Sequence, residues 1–358
     1  ALCEHHPSHD AACGYTEGSA GSPCAFVCEV CNAHDSGDTA TPSDAQPEEC
    51  TCEKLCTEEE INEDCPVCSA EGAELDKVCV GVAPMLPVTA LAVAPIGQVL
   101  YVGGVQISST GYWTTDSDGN VTASTAGETP TDNYISYDAE NNVLTLHNAT
   151  IKESVSTETN SFIAGAAIGV HNQNGAAELT ITLEGTNTIA EVGKGIYVLA
   201  NSTGGATLTI TGDGSLDASA SQTGIWVQSN NGNGALFIQN AKVEATGTSY
   251  GVNVQSSNSS TAALTVDGGS LTASGSPGIL YDSIGSGTVP KTTALTISNS
   301  AIVDARNGEI GAGSTTNLQP VPPSGNGIVF NGDDGTVYGD VTLQENLTIG
   351  EGESLTVP

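Results

Sequence analysis

A triplet made of an apolar residue, a threonine and a second apolar residue recurs through the second half of the chain and restricts the folds that this half can adopt. The copies lie at 179–181, 208–210, 264–266 and 295–297, and Leu236-Phe237-Ile238 takes the equivalent place between them, so that successive copies begin 29, 28, 28 and 31 residues apart. Each copy is followed by a second short apolar segment and then by a third segment that opens on glycine in most repeats. A repeat of about 20 to 50 residues is typical of solenoids and related arrays.

The three segments of each repeat predict three short strands, which cannot cover their own apolar faces. Stacking successive repeats about 4.8 Å apart pairs every strand with its equivalents above and below. The sequence therefore predicts an all-β fold, a parallel β-helix of about six to seven coils preceded by a small irregular module. The predicted boundaries are a Cys/His-rich acidic module at 1–80, a proline-containing linker and first strand at 81–98, the β-helix at 99–338 and terminal strands or an assembly segment at 339–358.

The charge of the chain excludes one class of partner. Acidic residues number 42 against 7 basic ones, which gives a formal net charge of -35. Binding of nucleic acid needs clustered Lys and Arg that contact phosphates, so the sequence predicts no nucleic-acid partner. The stretch closest to a membrane span, 78–96, is interrupted by three prolines. The sequence therefore predicts no membrane insertion.

All 11 cysteines precede residue 80, and four of the six histidines lie among them. A chain that begins at Ala1 and carries this many cysteines is expected to be the mature form of a secreted protein. Because 11 is odd, a framework made of disulfides alone would leave one thiol free. Short Cys and His spacings suit structural zinc, and three ligand sets are predicted: Cys3, His5, His9 and Cys13, with His6 as an alternative; Cys24, Cys28, Cys31 and His34; and Cys52, Cys56, Cys65 and Cys68. Cys50 and Cys79 remain as a disulfide pair, and a disulfide-bonded module without zinc is the alternative.

Several segments together resemble one known group of proteins. They are the repeats, the segment Leu100-Tyr101-Val102-Gly103-Gly104-Val105, the stretch from Tyr137-Asp138 to Leu144-Thr145-Leu146, and the Cys/His-rich start. The chain resembles the pectate-lyase-like right-handed parallel β-helix proteins, in particular the non-catalytic, carbohydrate-binding surface proteins of anaerobic Gram-positive gut bacteria. The resemblance implies a right-handed coil, an extracellular location at the cell surface of a Gram-positive bacterium, and a polysaccharide or another surface glycan as partner.

The third strands of successive repeats offer a candidate glycan site. Because side chains alternate along a strand, Ile168, Ile196, Ile225 and Val252 are expected to point inward, as are the valines two residues after each. The residues between them form a predicted outward column of Gly169, Tyr197, Trp226 and Asn253, flanked by His171, Gln228 and Gln255. Exposed rings of Tyr197 and Trp226 would stack a sugar while the amides bind its hydroxyls. The alternative is an aromatic ladder that only strengthens strand pairing.

An enzyme is the competing hypothesis, because the group that the chain resembles includes pectate lyases and polygalacturonases. Such a lyase needs calcium-bound carboxylates and a basic side chain, and an inverting hydrolase needs two carboxylates on either side of the scissile bond. The repeats contain only scattered basic residues, and their one adjacent acid pair, Asp333-Asp334, lies between glycines in a predicted turn. His147 and His171 lack sequence neighbours that would mark a catalytic histidine. The sequence therefore favours a non-catalytic protein that acts in glycan binding and adhesion or as a structural surface element. A polysaccharide lyase or hydrolase acting on a pectin-like substrate is an alternative.

Calcium is a further candidate cofactor. The segment Asp116-Ser117-Asp118-Gly119-Asn120 places oxygen-bearing side chains at alternate positions, as the start of a calcium loop does. The twelfth position of this segment is not Glu, and Glu128 comes one residue late. A surface turn is the alternative.

Residues 339–358 alternate between apolar and polar positions. The apolar positions are Val341, Leu343, Leu347, Ile349, Leu355 and Val357. An uncovered last coil would present unpaired backbone groups and an apolar layer to another chain. The sequence therefore predicts, as an alternative function, a filament subunit that contacts copies of itself end to end; a chain that has been cut short would show the same pattern.

Overall fold

The computed structural model describes residues 95–125, 128–202, 204–284, 287–343 and 346–358. The regular elements in these ranges are 23 β-strands, and no helix occurs among them. Accordingly, the described residues contain no helix long and apolar enough to cross a membrane. The predicted Cys/His-rich module and most of the predicted linker lie outside the described residues.

The first described strands pair antiparallel. They are β1 (Gln98–Val102), β2 (Val105–Ile107), β3 (Gly111–Thr115), β4 (Val121–Ala123), β5 (Tyr134–Asp138) and β6 (Val143–His147). β1 pairs with β2, β3 with both β4 and β5, and β5 with β6. Short connections, such as the four residues between β5 and β6, reverse the chain because parallel neighbours need a long crossover. Antiparallel strands thus occupy the beginning of the segment 99–338, and parallel stacking on face one starts at β6.

Three parallel sheets, named faces one, two and three, form the solenoid. Face one contains β6, β9 (Ala177–Glu184), β11 (Ala206–Gly212), β13 (Gly234–Gln239), β16 (Thr261–Asp267) and the first part of β19 (Thr292–Ala305). Face two contains β7 (Thr150–Ile151), the first parts of β10 (Thr186–Ala200) and β12 (Ser215–Ser229), β14 (Lys242–Thr246), β17 (Ser270–Ser274) and the second part of β19. Face three contains β8 (Ala166–Asn172), the second parts of β10 and β12, β15 (Tyr250–Ser256), β18 (Ile279–Ser283) and β20 (Ile310–Ala312). The six strands of face three correspond to about six turns.

The repeat sets the register of the stacked strands. Leu179, Leu208, Leu236, Leu264 and Leu295 pair in one continuous row along face one. None of the five is more than 2% exposed, and they belong to one central apolar core. Burying a large aliphatic side chain stabilises a fold by about 1.5–3 kcal/mol, so such rows are a main source of the solenoid's stability. The prediction of an all-β solenoid built from this repeat is confirmed.

Strands of the same chain cover the last coil. β21 (Pro323–Asn331) stacks in parallel on β19, β22 (Asp334–Tyr338) folds back antiparallel on β21, and β23 (Ser354–Thr356) pairs in parallel with β22. On face three, Ala312 and Gln319 exchange two backbone hydrogen bonds of 2.8 and 2.9 Å, which partner the outer edge of β20. These pairings occupy backbone groups that an open end would leave free.

The predicted apolar layer at the C-terminal end is not formed by strands. Of its six apolar residues only Leu355 lies in a strand, and Leu343 and Ile349 are 48% and 40% exposed. Gly332 has a φ of 60°, a conformation that glycine adopts without strain, and it lies in the turn that reverses the chain between β21 and β22. Because the chain turns back here, the expectation of an uncovered last coil is wrong.

Candidate functional site

The candidate glycan site lies on the outer side of face three. Ile168, Ile196, Ile225 and Val252 are fully buried in the central core, as predicted. The residues between the inward positions form one outer row in register, which we call the aromatic column: Gly169, Tyr197, Trp226, Asn253, Leu280 and Gly311. The predicted flanking residues form a second outer row, which also contains Leu199 and Asp282: His171, Leu199, Gln228, Gln255 and Asp282.

The two rings of the aromatic column stack on each other. The centroids of Tyr197 and Trp226 are 4.7 Å apart, and the ring planes differ by 19°. The Tyr197 hydroxyl donates to Gln228 Oε1 at 2.6 Å, and Trp226 Nε1 donates to Gln255 Oε1 at 3.3 Å. Each ring is therefore held by a stacking contact and by an amide one coil further along the solenoid.

Exposure is lower than the sequence predicts for most of these residues. Tyr197, Asn253 and His171 are only 5%, 2% and 6% exposed, whereas Trp226 is half-buried. The prediction of two exposed rings is wrong for Tyr197 and holds in part for Trp226. A sugar approaching this face therefore meets the indole, not a platform of two rings.

The segment between β7 and β8 covers Tyr197 and His171. Ile163 packs so closely on Gly169 that an added Cβ would lie 2.7 Å from Ile163 Cδ1. Trp226 packs against a small apolar cluster outside the central core. The cluster consists of Tyr101, Val155, Ile163, Ala166, Tyr197 and Leu199. Phe162 stacks on His171 with ring centroids 4.6 Å apart. The covering segment and its contacts are tertiary features that the alignment of third strands does not contain.

Burial shifts the ionisation of the groups around the stack. It raises the pKa of the Tyr197 hydroxyl and lowers the pKa of His171, so both side chains are neutral at pH 7. Burial also lowers the pKa of Lys194, whose Nζ lies 5.5 Å from the Tyr197 ring centroid and donates to the Ala164 carbonyl at 2.8 Å. At the far end of the flanking row, burial raises the pKa of Asp282.

A chain of side-chain amides borders the aromatic column and was not predicted. Asn201 Nδ2 donates to Gln173 Oε1 at 3.0 Å, Asn230 Nδ2 donates to Asn201 Oδ1 at 3.1 Å, and Gln228 Nε2 donates to Asn230 Oδ1 at 2.8 Å. Asn201 and Asn230 are 29 residues apart, which matches the repeat length and is the sequence signal for the pair. Oriented amides of this kind present donors and acceptors that match sugar hydroxyls.

The predicted zinc ligands and the Cys50–Cys79 disulfide lie outside the described residues. Within the described ranges, no three His, Cys, Asp or Glu side chains are close enough to hold a metal ion together. In the candidate calcium segment, Asp116 Oδ1 accepts hydrogen bonds from the backbone N–H groups of Asp118 and Asn120, and Asp116 Oδ2 accepts from Asn120 Nδ2. The bond from the Asn120 side chain is the largest cause of the lowered pKa of Asp116. This pattern is that of a surface turn, and calcium stays a prediction.

The groups relevant to catalysis have partners that the sequence did not reveal. His147 Nδ1 lies 3.0 Å from Glu184 Oε2, and the His147 ring stacks on Tyr134 at 4.7 Å. Both neighbours of His147 come from other strands, so the sequence around His147 does not reveal them. An open cleft of about 480 Å³ contains Glu309, Asp333 and Arg306. Both acids are exposed.

No protein-family model matches the chain, and neither the curated proteins nor the solved structures give a significant match. Function is therefore inferred from the residues and their geometry alone.

Proposed function

We propose that the protein is a non-catalytic, extracellular β-solenoid that binds a polysaccharide or another surface glycan on face three. The observation that carries the proposal is the half-buried Trp226 indole, which is stacked on the Tyr197 ring and bonded to Gln255. Sugar rings have apolar C–H faces that pack on such an indole, and a ring that is already fixed loses little entropy on binding.

The polar groups around Trp226 support the same ligand class. Gln228 and Asn230 are held in one hydrogen-bonded chain, and Gln255 is bonded to the indole itself. A few oriented polar groups beside an apolar contact surface are typical of sites that recognise small hydroxylated ligands. These amides are uncharged, so the ligand needs no charge to pair with them.

Cysteine usage supports the extracellular location. All 11 cysteines precede residue 80, and cysteine-dense modules are common in oxidising compartments, where disulfides persist. Display at the cell surface of a Gram-positive bacterium is part of the proposal, as is structural zinc in residues 1–80. A rigid stack of coils, each contacting only its neighbours, suits such display.

Substitution of Trp226 tests the site. Trp226→Ala is expected to weaken binding to a recognised polysaccharide by about 1–2 kcal/mol, because one aromatic contact is lost. Trp226→Phe keeps a ring in the stack but loses the bond to Gln255, so a smaller loss is expected. Binding is measured by affinity electrophoresis against a panel of soluble polysaccharides, with Tyr197→Phe as the control that removes only a hydroxyl.

Thermal unfolding of the same variants separates a binding role from a structural one. Trp226 packs against the small outer cluster, so Trp226→Ala is expected to lower stability as well as affinity. Lower stability with unchanged affinity for every polysaccharide bound would mean that the ring is structural only. Release of unsaturated or reducing ends from pectin by the wild-type protein would contradict the non-catalytic part of the proposal.

A further inference from the structure

The outer side of face one carries a regular array of threonine hydroxyls. One column runs along the solenoid axis through five strands in register: Thr180, Thr209, Phe237, Thr265 and Thr296. Four of these residues are partly exposed, and Thr209 is 8% exposed. Because neighbouring strands are about 4.8 Å apart, the column presents one side chain per coil at nearly equal intervals.

A second column lies beside the first and begins with Thr145, Thr182 and Thr211. In the described part of the chain, no protein atom hydrogen-bonds the hydroxyls of Thr180, Thr265 or Thr296. As far as the described residues are concerned, these groups keep their capacity to donate to and accept from a ligand. Each threonine hydroxyl can do both.

An aromatic cluster closes the N-terminal end of the same sheet. β3 pairs with β5, β5 with β6, and β6 with β9, so the outer surface is continuous. Tyr134 stacks on His147 at 4.7 Å, and Tyr112 meets Tyr134 edge to face at 5.9 Å. Tyr112 is 37% exposed. The array of hydroxyls therefore ends on exposed ring surface.

Charge restricts the occupant of this surface. The first column has no charged residue, and in the second Asp267 is 8% exposed and accepts hydrogen bonds from Ser298 and Asn299. The chain has a net charge of -35, so it repels a polyanion, and it repels a second copy of itself. A neutral, hydroxyl-rich polymer carries no such penalty and matches both the hydroxyls and the rings.

We infer that the outer side of face one is a second binding surface, for a neutral polysaccharide that lies along the solenoid axis and reaches the Tyr112–Tyr134 cluster. The inference rests on the proposed function for its ligand class but uses none of the residues of face three. Threonines supply hydrogen bonds along the polymer, and Phe237 supplies a stacking contact in the middle of the column.

The experiment measures binding of the full chain to insoluble cellulose, xylan and mannan, with polygalacturonate as the anionic comparison. Phe237→Thr replaces the ring by the residue that adjacent coils carry. The double variant Thr180→Val/Thr265→Val removes two hydroxyls and keeps the β-branched shape. The matched control is Thr272→Val, on the outer side of face two. Each face-one variant is expected to lose about tenfold in affinity for the neutral polymer bound, and the control is expected to bind like the wild type.

The remaining outcomes separate the two surfaces. Full binding by the face-one variants together with loss on Trp226→Ala overturns the inference and leaves the proposed function standing. The reverse pattern supports the inference and removes Trp226 from the binding site. Binding to polygalacturonate as tight as to any neutral polymer overturns the inference, and binding of the wild type to none of the polymers overturns both.

Discussion

Two buried tyrosines differ in whether the hydroxyl has a hydrogen-bond partner, and this difference bears on the stability of the fold. Tyr137 is 4% exposed, and its hydroxyl donates to Asn142 Oδ1 at 3.0 Å. Tyr281 is fully buried, and among the residues that the structure describes its hydroxyl has no hydrogen-bond partner. Burial raises the pKa of both groups, so neither ionises near neutral pH. A buried polar group without a partner has a desolvation cost that no hydrogen bond offsets.

The removal of one hydroxyl is therefore expected to raise the stability, and the removal of the other is expected to lower it. Tyr281→Phe removes an unpaired group and is expected to raise the free energy of unfolding by about 1 kcal/mol. Tyr137→Phe removes a satisfied donor and is expected to lower it by about the same amount. Urea unfolding of the two variants provides the measurement. Equal losses in both would show that the Tyr281 hydroxyl has a partner in solution, such as a buried water.

At the scale of secondary-structure elements, one side chain makes several of the contacts that hold the segment before the last strand. Arg306 binds Asp304 through Nε at 3.0 Å, Glu353 through Nη1 at 2.9 Å and the Thr348 carbonyl at 2.8 Å. Its guanidinium also lies 4.6 Å from the centroid of the Phe330 ring. These contacts tie the segment before β23 to the second part of β19 and to β21. β23 itself has only three residues, which pair with β22.

Loss of Arg306 is therefore expected to release this segment. Arg306→Ala should speed amide exchange in 346–356 by about tenfold or more, because several charge-assisted bonds are lost together. Exchange in the central strands should not change. The measurement is hydrogen exchange read by mass spectrometry, and Lys291→Ala, which removes an exposed cation, is the control. Unchanged amide exchange at 346–356 would show that backbone pairing is enough to hold this segment without Arg306.

At the scale of the whole solenoid, both ends carry antiparallel strands. β1 pairs antiparallel with β8 and β5 with β6 at one end, and β22 pairs antiparallel with β21 at the other. Unpaired strand edges are the usual templates for association between chains, and short or covered edges prevent it. The geometry therefore argues against growth of a filament through the C-terminal end, although filament formation was predicted as an alternative.

We accordingly expect the same oligomeric state for the full chain and for a chain that ends at Tyr338. The physical reason is that β23 already pairs with β22 within one molecule, and that copies with a net charge of -35 repel each other. Sedimentation velocity at high protein concentration compares the two. Polymers formed by the full chain and lost on truncation would instead support the filament.

The architecture could be predicted from the sequence because it depends on local patterns. The repeat of about 28 residues sets which strands stack, and the alternation of side chains along a strand decides which of them face the core. Thus the leucine row from Leu179 to Leu295 and the inward position of Ile196 follow from periodicity alone. The identity of the aromatic column follows in the same way.

Only the tertiary structure decided which of these residues can meet a ligand. Tyr197 is buried because Val155 and Ile163, more than 30 residues earlier, cross the outer side of face three. His147 meets Glu184 only because β6 stacks beside β9, and the turn at Gly332 sends β22 back over the last coil. The path of a connecting segment is set by contacts between residues far apart in the chain, and no local periodicity encodes such contacts. For this reason the sequence by itself determined the stacked core, and the folded chain determined its exposed surface and its ends.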